Sequence, residues 1–477
     1  METEVSSSSS IARAFLADIW SSLAGNAEAA GRVTFLGDGA LPSAFAVSDF
    51  AAAAVGACGL ALSELIRARF GTAPAVAVDR RLASLWFGMS IQPQGWSLPP
   101  PWDPIAGDYA ARDGWIKLHT NAPRHRAAAL AVLGVEPDKE TVTAAVREWS
   151  ADALEEAVVG RGGCAAAMRD RATWGHHPQG RAVAAEPVVA TISGPTTSAT
   201  DWPALRDRPL AGLRVLDCTR VLAGPVATRF LAGFGAEVLR IDPPDWDEPA
   251  LAPEVTLGKH CARIDLKTKQ GRERFAAILA EADVFVHGFR PGALAGGGFD
   301  RPARRAIRAS LIDVSLDAYG WTGPWAGRRG FDSLVQMSAG IAAEGMRRFG
   351  VDRPKPLPVQ ALDHAAGYVM AASALVGLTQ RLASGCAFEA KTSLARMAGL
   401  LTSQAADGAG ASLRPPGTAD FARDREETAW GPALRLLPPL EVDGTRMAWG
   451  RPASPLGSAP AEWATAGATR PPERRER

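Results

Sequence analysis

The sequence predicts an α/β protein built on an open, mostly parallel, Rossmann-like sheet. Three observations carry this expectation. Downstream of Pro209, short runs rich in Val, Leu and Ile alternate with longer stretches of helical character, the pattern of βαβ crossovers. The breaks carry matching punctuation, with Pro225 in the first turn of one helical stretch and Gly235 just past its end. At 477 residues the chain also exceeds what one ordinary core holds, so two or three lobes are expected.

Taken in order, the alternation opens with a strand at LRVLDCT, a helix from Pro225 to Phe234, and a strand at AEVLRID. A helix from Lys269 to Ala282, a strand at DVFVHGF and a further strand at RASLIDVSL follow. Upstream, Val183 to Arg208 is rich in Thr, Ser and Pro and reads as a linker. Gln404 to Gly417, rich in Pro and Gly, precedes LRLLPPLEVDGTRMAWGRPASPLG. The start, METEVSSSSSIARAF, reads as a short disordered tail leading in, and RPPERRER as a frayed basic one.

The segment PVQALDHAAGYVMAA, Pro358 to Ala372, sets an Asp–His pair at the mouth of an almost wholly apolar run. Asp363 precedes a stretch from Ala365 to Leu382 without proline, so its carboxylate reads as a helix cap for orphan N–H groups. The other reading is an ionised nucleophile held in a dry pocket. An internal repeat bears on the choice. Residues from Ser48, SDFAAAAVGACGLALSELIRARFGTAPAVAV, align without gaps on residues from Leu362, LDHAAGYVMAASALVGLTQRLASGCAFEAKT. Asp49 matches Asp363, Arg67 matches Arg381 and Gly71 matches Gly385; both copies read as cap, buried helix, Gly stop and short strand.

Composition narrows the function classes. A net charge of +1 gives no general pull toward nucleic acid or a membrane surface. The five cysteines (Cys58, Cys164, Cys218, Cys261 and Cys386) are scattered and never spaced as CxxC, which points to reduced thiols in a cytoplasmic protein and away from a thiolate metal site. No signal sequence is evident, and no run is read as long enough and free enough of charge to span a bilayer. The loop after LRVLDCT lacks GxGxxG, and no GxxxxGK[ST] or HExxH occurs. His176 and His177 read as surface or supporting groups, and no metal ligands are expected.

Five ordered motifs then carry a resemblance: PLAGLRVLDCTRVLAGPVATRFLAGFGAEVLRIDPP, GKHCARIDLKTKQGRERF, ADVFVHGFRPGAL, SLDAYGWTGPWAGRRGFDSLVQMSAG and ALDHAAGY. Over Pro209 to about Leu401 the chain resembles the family III (CaiB/BaiF-type) CoA-transferases. That resemblance implies an α/β fold with a smaller α+β lobe, and CoA transfer from an acyl-CoA to a carboxylic acid. It implies a homodimer and no permanently bound cofactor, coenzyme A being a substrate. Asp363 matches the family nucleophile, followed by Gly367. A carboxylate with an ordinary pKa of about 4 would already be ionised at neutral pH and need no general base. Val221 and Ala223 match contacts to the CoA nucleotide, and Lys267 and Arg329 match positions near CoA phosphates. Gly288 stands where the family often has Asn, and an Arg near Gly296 is missing.

The implied organisation is a lead-in at 1–30, a partial first copy of the nucleophile unit at 31–98, a small-domain-like lobe at 99–182, and a linker at 183–208. The CoA-binding domain follows at 209–403, a second linker at 404–428 and a C-terminal segment at 429–477. Asp49 has no nucleotide-binding βα unit before it and is expected to cap its helix. Two rivals stand beside a transferase. One is an α-methylacyl-CoA racemase, in which a His is expected where Phe331 stands in Gly330-Phe331-Asp332, and His364 is not expected to substitute for it. The other is an inactive CoA-binding relative.

Overall fold

The computed structural model describes residues 7–23, 25–197, 201–203, 205–404 and 411–464. Its largest sheet contains six parallel strands: β1 (Arg214–Cys218), β2 (Glu237–Asp242), β3 (Lys259–Arg263), β4 (Val284–His287), β5 (Ile312–Asp317) and β6 (Cys386–Ser393). Their spatial order is β3-β2-β1-β4-β5-β6, with the strand Ala190–Thr196 added antiparallel to β6 at the edge. This is the doubly wound order, in which connections from β1 leave in one direction and those from β4 in the other. The open mostly parallel sheet is therefore as expected. The reversal opens a crevice at the carboxyl ends of β1 and β4, beside Cys218 and His287.

Val215, Leu216, Val238, Leu239, Val284, Phe285 and Val286 are buried on both faces of the sheet, as parallel strands require. Two features differ from the sequence reading. The first is β3, a sheet-edge strand of sequence KHCAR whose Lys259 is buried, Nζ lying 3.0 Å from Asp217 Oδ2 and 2.9 Å from the Pro225 carbonyl. The second is the expected linker at 183–208, which contributes the antiparallel edge strand.

Three helices organise the interior: α1 (Val47–Phe70), α2 (Ala223–Gly233) and α3 (Ala361–Ser384). α1 and α3 are the two arms of the repeat, each 24 residues long, and both stop at a glycine in the left-handed region, Gly71 at φ 84° and Gly385 at φ 69°. They pack together, with the Cys58 thiol donating to the Tyr368 carbonyl. After each comes a strand and then a helix with a side-chain cap: Asp79 accepts from Leu82 N–H, and Ser393 accepts from Arg396 N–H. By length and composition both α1 and α3 could cross a membrane, contrary to the expectation that no run reaches that length. In this structure 94% of each apolar window is buried inside the protein.

The expected N-terminal tail is also corrected. Ser7–Ser22 is a helix, and Phe15 meets Phe50 of α1 edge-on at 5.2 Å. Residues 1–6 and the basic tail from 465 lie outside the described residues. The segment 99–182 forms a smaller α+β lobe. Strands Gly107–Ala110, Trp115–Leu118 and Ala165–Ala167 form its antiparallel sheet, and helices Pro123–Leu133, Lys139–Arg147 and Ala151–Gly160 pack around a core of Ile116, Leu118, Val142 and Leu154. Ala166 and Cys164 pack on Leu334 and Met337 of the helix Asp332–Ser338, which fixes the lobe over the sheet.

The C-terminal segment closes the assembly. Gly431–Arg435 pairs with Ile91–Pro93, and Leu440–Val442 pairs with Val76–Asp79. Glu254, fully buried, holds these parts together through Arg229 of α2, Arg435, and the amides of Ser90 and Ile91. Burial alone would push this carboxyl up, but Arg229, Arg435 and Ser90 reverse the effect and hold it at about 2. A depressed carboxyl contributes stability above its unfolded value of about 4.3 and loses it as pH falls toward the folded value. Glu254→Gln leaves the buried Arg229 guanidinium without its carboxylate while Arg435 keeps Glu426, so urea unfolding at pH 7 is expected to show a loss of about 3 kcal/mol. The gap between variant and wild type should narrow as pH falls from about 4.3 toward 2.

Candidate active site

A cavity of about 310 Å³ opens at the carboxyl ends of the sheet, where the strand order reverses. Cys218, Thr219, Arg220 and Val221 after β1, and Gly288, Phe289 and Arg290 after β4, form one side. Asp363 and Leu394 face them, and Arg124 and His125 reach in from the small lobe.

The loop after β1 is rigidly held. Asp217 accepts hydrogen bonds from Thr219 N–H, from the Thr219 and Thr228 hydroxyls and from Lys259. Val221 has φ 64°, which a β-branched residue adopts only when its surroundings impose it, and no other non-glycine among the described residues has positive φ. Its N–H donates to Glu248 at 2.9 Å. The loop delivers Ala223 and Gly224 to the cavity as the first turn of α2, with no side chain capping that helix. A helix start of this kind offers free N–H groups and a partial positive charge to an anion.

Asp363 lies in the first turn of α3 and is 7% exposed, yet it does not cap the helix. Asp332 does. Its Oδ2 accepts from Leu362 N–H at 2.8 Å and from Asp363 N–H at 3.0 Å, and its Oδ1 accepts from Gln336. Gln336 is in turn fixed by Leu357 N–H, 2.7 Å from its Oε1. Relieved of capping, the Asp363 carboxyl borders the cavity with no hydrogen-bond donor among the described residues. Gly367 lets this happen: a Cβ there would lie 2.3 Å from the Ala223 carbonyl oxygen, so only glycine allows α3 to approach the start of α2 this closely.

The Asp363 carboxyl does not have the ordinary pKa that the sequence reading assumed. Burial, and then the charge of Asp332, push the Asp363 carboxyl well above the ordinary range. Burial raises Asp332 too, to about 6, but its three donors favour its charged form, so Asp363 is the member of the pair that holds the proton.

Asp49, the counterpart of Asp363, was expected to cap α1 and does not. It is buried in a two-pronged ion pair with Arg80, at 2.7 Å and 3.0 Å, and α1 has no side-chain cap. Arg80 opens the helix after the strand of the first copy; Leu394 opens the corresponding helix of the second and lines the cavity.

The cavity is basic. Arg124, Arg220, Arg290 and Arg329 line it, and none is ion-paired with a carboxylate among the described residues. Burial lowers the Arg329 pKa, and Arg290 and Arg124 add to the effect. Arg328 is tied instead to Glu155 of the small lobe at 2.8 Å, its guanidinium 3.9 Å from the centre of the Trp325 ring. This anchors the loop that presents Arg329.

Of the residues singled out from sequence, Val221, Ala223, Arg329 and Asp363 converge on the cavity. Lys267 is not in the lining and sits exposed in the turn after β3. Gly288 lines the cavity with no atom within 4 Å of where a Cβ would stand, so the missing Asn leaves open space; Gly296 is likewise open. His177 stacks on Trp174 at 5.5 Å and supports Trp325, and His176 is exposed. His364 packs on Phe87 at 5.1 Å, outside the lining, and burial holds it at about 3. Phe331 lines the cavity with no group able to move a proton. Sequence reasoning missed Asp332 as the cap and Arg124 and His125 as lining; Asp332 was at least visible, standing inside a motif already quoted.

A raised carboxyl favours the fold in its neutral form. That contribution is complete below about 3.9, the unfolded value, and is lost as pH rises through the folded value. Asp363→Asn removes the penalty of charging a buried group. As pH rises above about 3.9, its melting temperature relative to wild type is expected to increase until Asp363 ionises in the fold, as parallel thermal melts would show.

Residues 210–424 match the family model described as CoA-transferase family III. The probable fatty acyl-CoA transferase Rv3272 of Mycobacterium tuberculosis (strain ATCC 25618 / H37Rv) is 33% identical over 194 residues, which cover 38% of this chain and 49% of that protein. The acetyl-coenzyme A transferase nodX of Hypoxylon pulicicidum is 32% identical over 197 residues, covering 40% and 33% respectively. The acyl-CoA transferase of Gibberella moniliformis (strain M3125 / FGSC 7600) is 27% identical over 303 residues, covering 59% and 53%. The chain thus spans about a third to a half of the length of these relatives. The matched segment, 210–424, contains all six parallel strands and Asp363, and it is over this segment that the chain is similar to CoA-transferase family III.

Proposed function

We propose that this protein transfers CoA from an acyl-CoA thioester to a free carboxylic acid, with Asp363 as the nucleophile. The observation that carries the reading is the state of the Asp363 carboxyl, which is buried, relieved of capping by Asp332, and open to an arginine-lined cavity at the switch point of the sheet. The start of α2 and the strained Val221 loop suit a diphosphate, and Arg124, Arg290 and Arg329 suit further anionic groups. Lys267, outside the cavity but at the same end of the sheet, is kept only as an outer contact for a CoA phosphate.

Asp363 first gives up its proton to solvent; a carboxylate oxygen then bonds to the thioester carbonyl carbon, and the C–S bond breaks with its electron pair leaving on the CoA thiolate. The product is an acyl-aspartyl anhydride. The thiolate returns to the aspartyl carbonyl and releases the donor acid, giving an aspartyl-CoA thioester. The acceptor carboxylate then attacks that thioester, its new anhydride is cleaved by thiolate, and the Asp363 carboxylate is regenerated with CoA on the acceptor. Water competes at both covalent stages, so the buried surroundings of Asp363 protect the intermediates. Because the lobe at 99–182 brings Arg124 and His125 to the cavity within one chain, we read residues 31–182 as a partial first copy whose small lobe serves the second. A homodimer is what the family resemblance implies.

Two variants separate chemistry from structure. Asp363→Asn is expected to lower transfer from any accepted acyl-CoA by several orders of magnitude without loss of melting temperature. Asp49→Asn leaves Arg80 buried and unpaired, so it should melt lower while keeping kcat per folded molecule within about threefold. Full activity of Asp363→Asn would dismiss the nucleophile, and α-deuterium exchange without transfer would favour a racemase. A third variant tests the coupling: Asp332→Asn can still cap α3 but removes the neighbouring charge. The acid limb of its kcat/KM profile is expected to move to lower pH.

A further inference from the structure

Three histidines cluster near the cavity or the α3 start, and they differ in one respect. His119 stacks on Phe331 at 3.8 Å and His364 on Phe87, both outside the lining. His125 borders the cavity together with Asp363, although it comes from the small lobe, in the first turn of the helix Pro123–Leu133. Its ring meets Phe331 edge-on at 5.9 Å, which holds the imidazole in place.

His125 is 2% exposed, and both ring nitrogens are buried with no hydrogen-bond partner among the described residues. A neutral imidazole carries one N–H donor and one acceptor nitrogen, and leaving either unmet in a buried place is costly. The neighbouring groups cannot relieve the donor, because the guanidiniums of Arg124 and Arg329 only donate. Burial, reinforced by Arg124 and then Arg329, holds this ring at about 4, so it is neutral at neutral pH. An acceptor oxygen can be brought by an occupant of the cavity that this residue borders.

We propose that His125 is a catalytic residue of acyl transfer, donating its ring N–H to the thioester carbonyl oxygen as Asp363 attacks. This rests on the transferase reading above. As the Asp363 oxygen bonds to the carbonyl carbon, the C=O π pair moves onto oxygen, and the N–H stabilises that charge while keeping its own proton. When the C–S bond breaks, the pair returns and the hydrogen bond relaxes. A fixed neutral donor in a dry site strengthens toward the transition state, the property that raises kcat without tightening substrate binding.

The test uses acetyl-CoA as probe, with hydroxylamine to trap the acyl group and release of CoA thiol as the readout. His125→Ala is expected to lower kcat about 100-fold with KM within about threefold, the size and pattern of losing one oxyanion donor. His125→Gln retains an N–H and should recover at least about tenfold over the alanine variant. In parallel, the His125 ring resonances of 15N-labelled wild type, assigned by their loss in His125→Gln, should shift on adding acetyl-CoA and not on adding CoA. A His125→Ala variant that melts normally and keeps kcat within about threefold would overturn the assignment, as would an unresponsive ring. Should wild type release no CoA, the transferase reading falls, and the ring response alone then decides whether His125 meets an acyl oxygen.

Discussion

The arrangement of this site depends on one carboxylate, Asp332, that lies outside the cavity lining. Asp332 takes the two amides that open α3, a task for which Asp363 is the better-placed residue by sequence. A helix start demands an acceptor, and had Asp363 supplied it, its oxygens would have been turned back onto the helix. With the demand met from outside, the Asp363 carboxyl is left without a donor among the described residues and borders the cavity. The same arrangement sets two buried carboxyls side by side, and their mutual repulsion raises the proton affinity of the one with fewer donors. Positioning and pKa therefore have a common cause.

The repeat supplies an internal control. α1 and α3 share length, stop signal and following strand, so backbone architecture does not distinguish them. Side chains do: Gly367, which lets α3 approach the start of α2, is matched by Ala53, and Leu394 is matched by Arg80. Where the second copy places Leu394 at the cavity, the first places Arg80, whose guanidinium clasps Asp49 from both oxygens. An apolar neighbour keeps a carboxyl uncompensated, whereas an arginine neutralises it and fills the space beside it. The small lobe that follows the first copy then packs on the helix bearing Asp332 and brings Arg124 and His125 to the second copy's site.

Much of the fold was legible because burial on both faces of a parallel sheet writes itself as Val, Leu and Ile: LRVLDCT, AEVLRID and DVFVHGF all lie where they were expected. The strand KHCAR was not, since its buried lysine makes sense only beside Asp217, across the sheet. The edge strand ATISGPT was obscured by its Gly and Pro, and the first helix by the serine run ahead of IARAFLADIW. At the site, motif spacing identified Asp363 and the Val221 loop. The cap by Asp332, the pairing of Asp49 with Arg80 and the entry of His125 join residues far apart in the chain, and no local pattern of charge or periodicity marks such contacts.

The central claim is that only one of two matching aspartates becomes acylated. Incubating wild-type protein with acyl-CoA and hydroxylamine, followed by peptide mapping by mass spectrometry, tests it most directly. A hydroxamate on Asp363, and none on Asp49, is the result expected from a free carboxyl in one copy and an arginine-clasped one in the other. A hydroxamate on Asp49, or turnover of acyl-CoA with neither residue modified, would contradict the account.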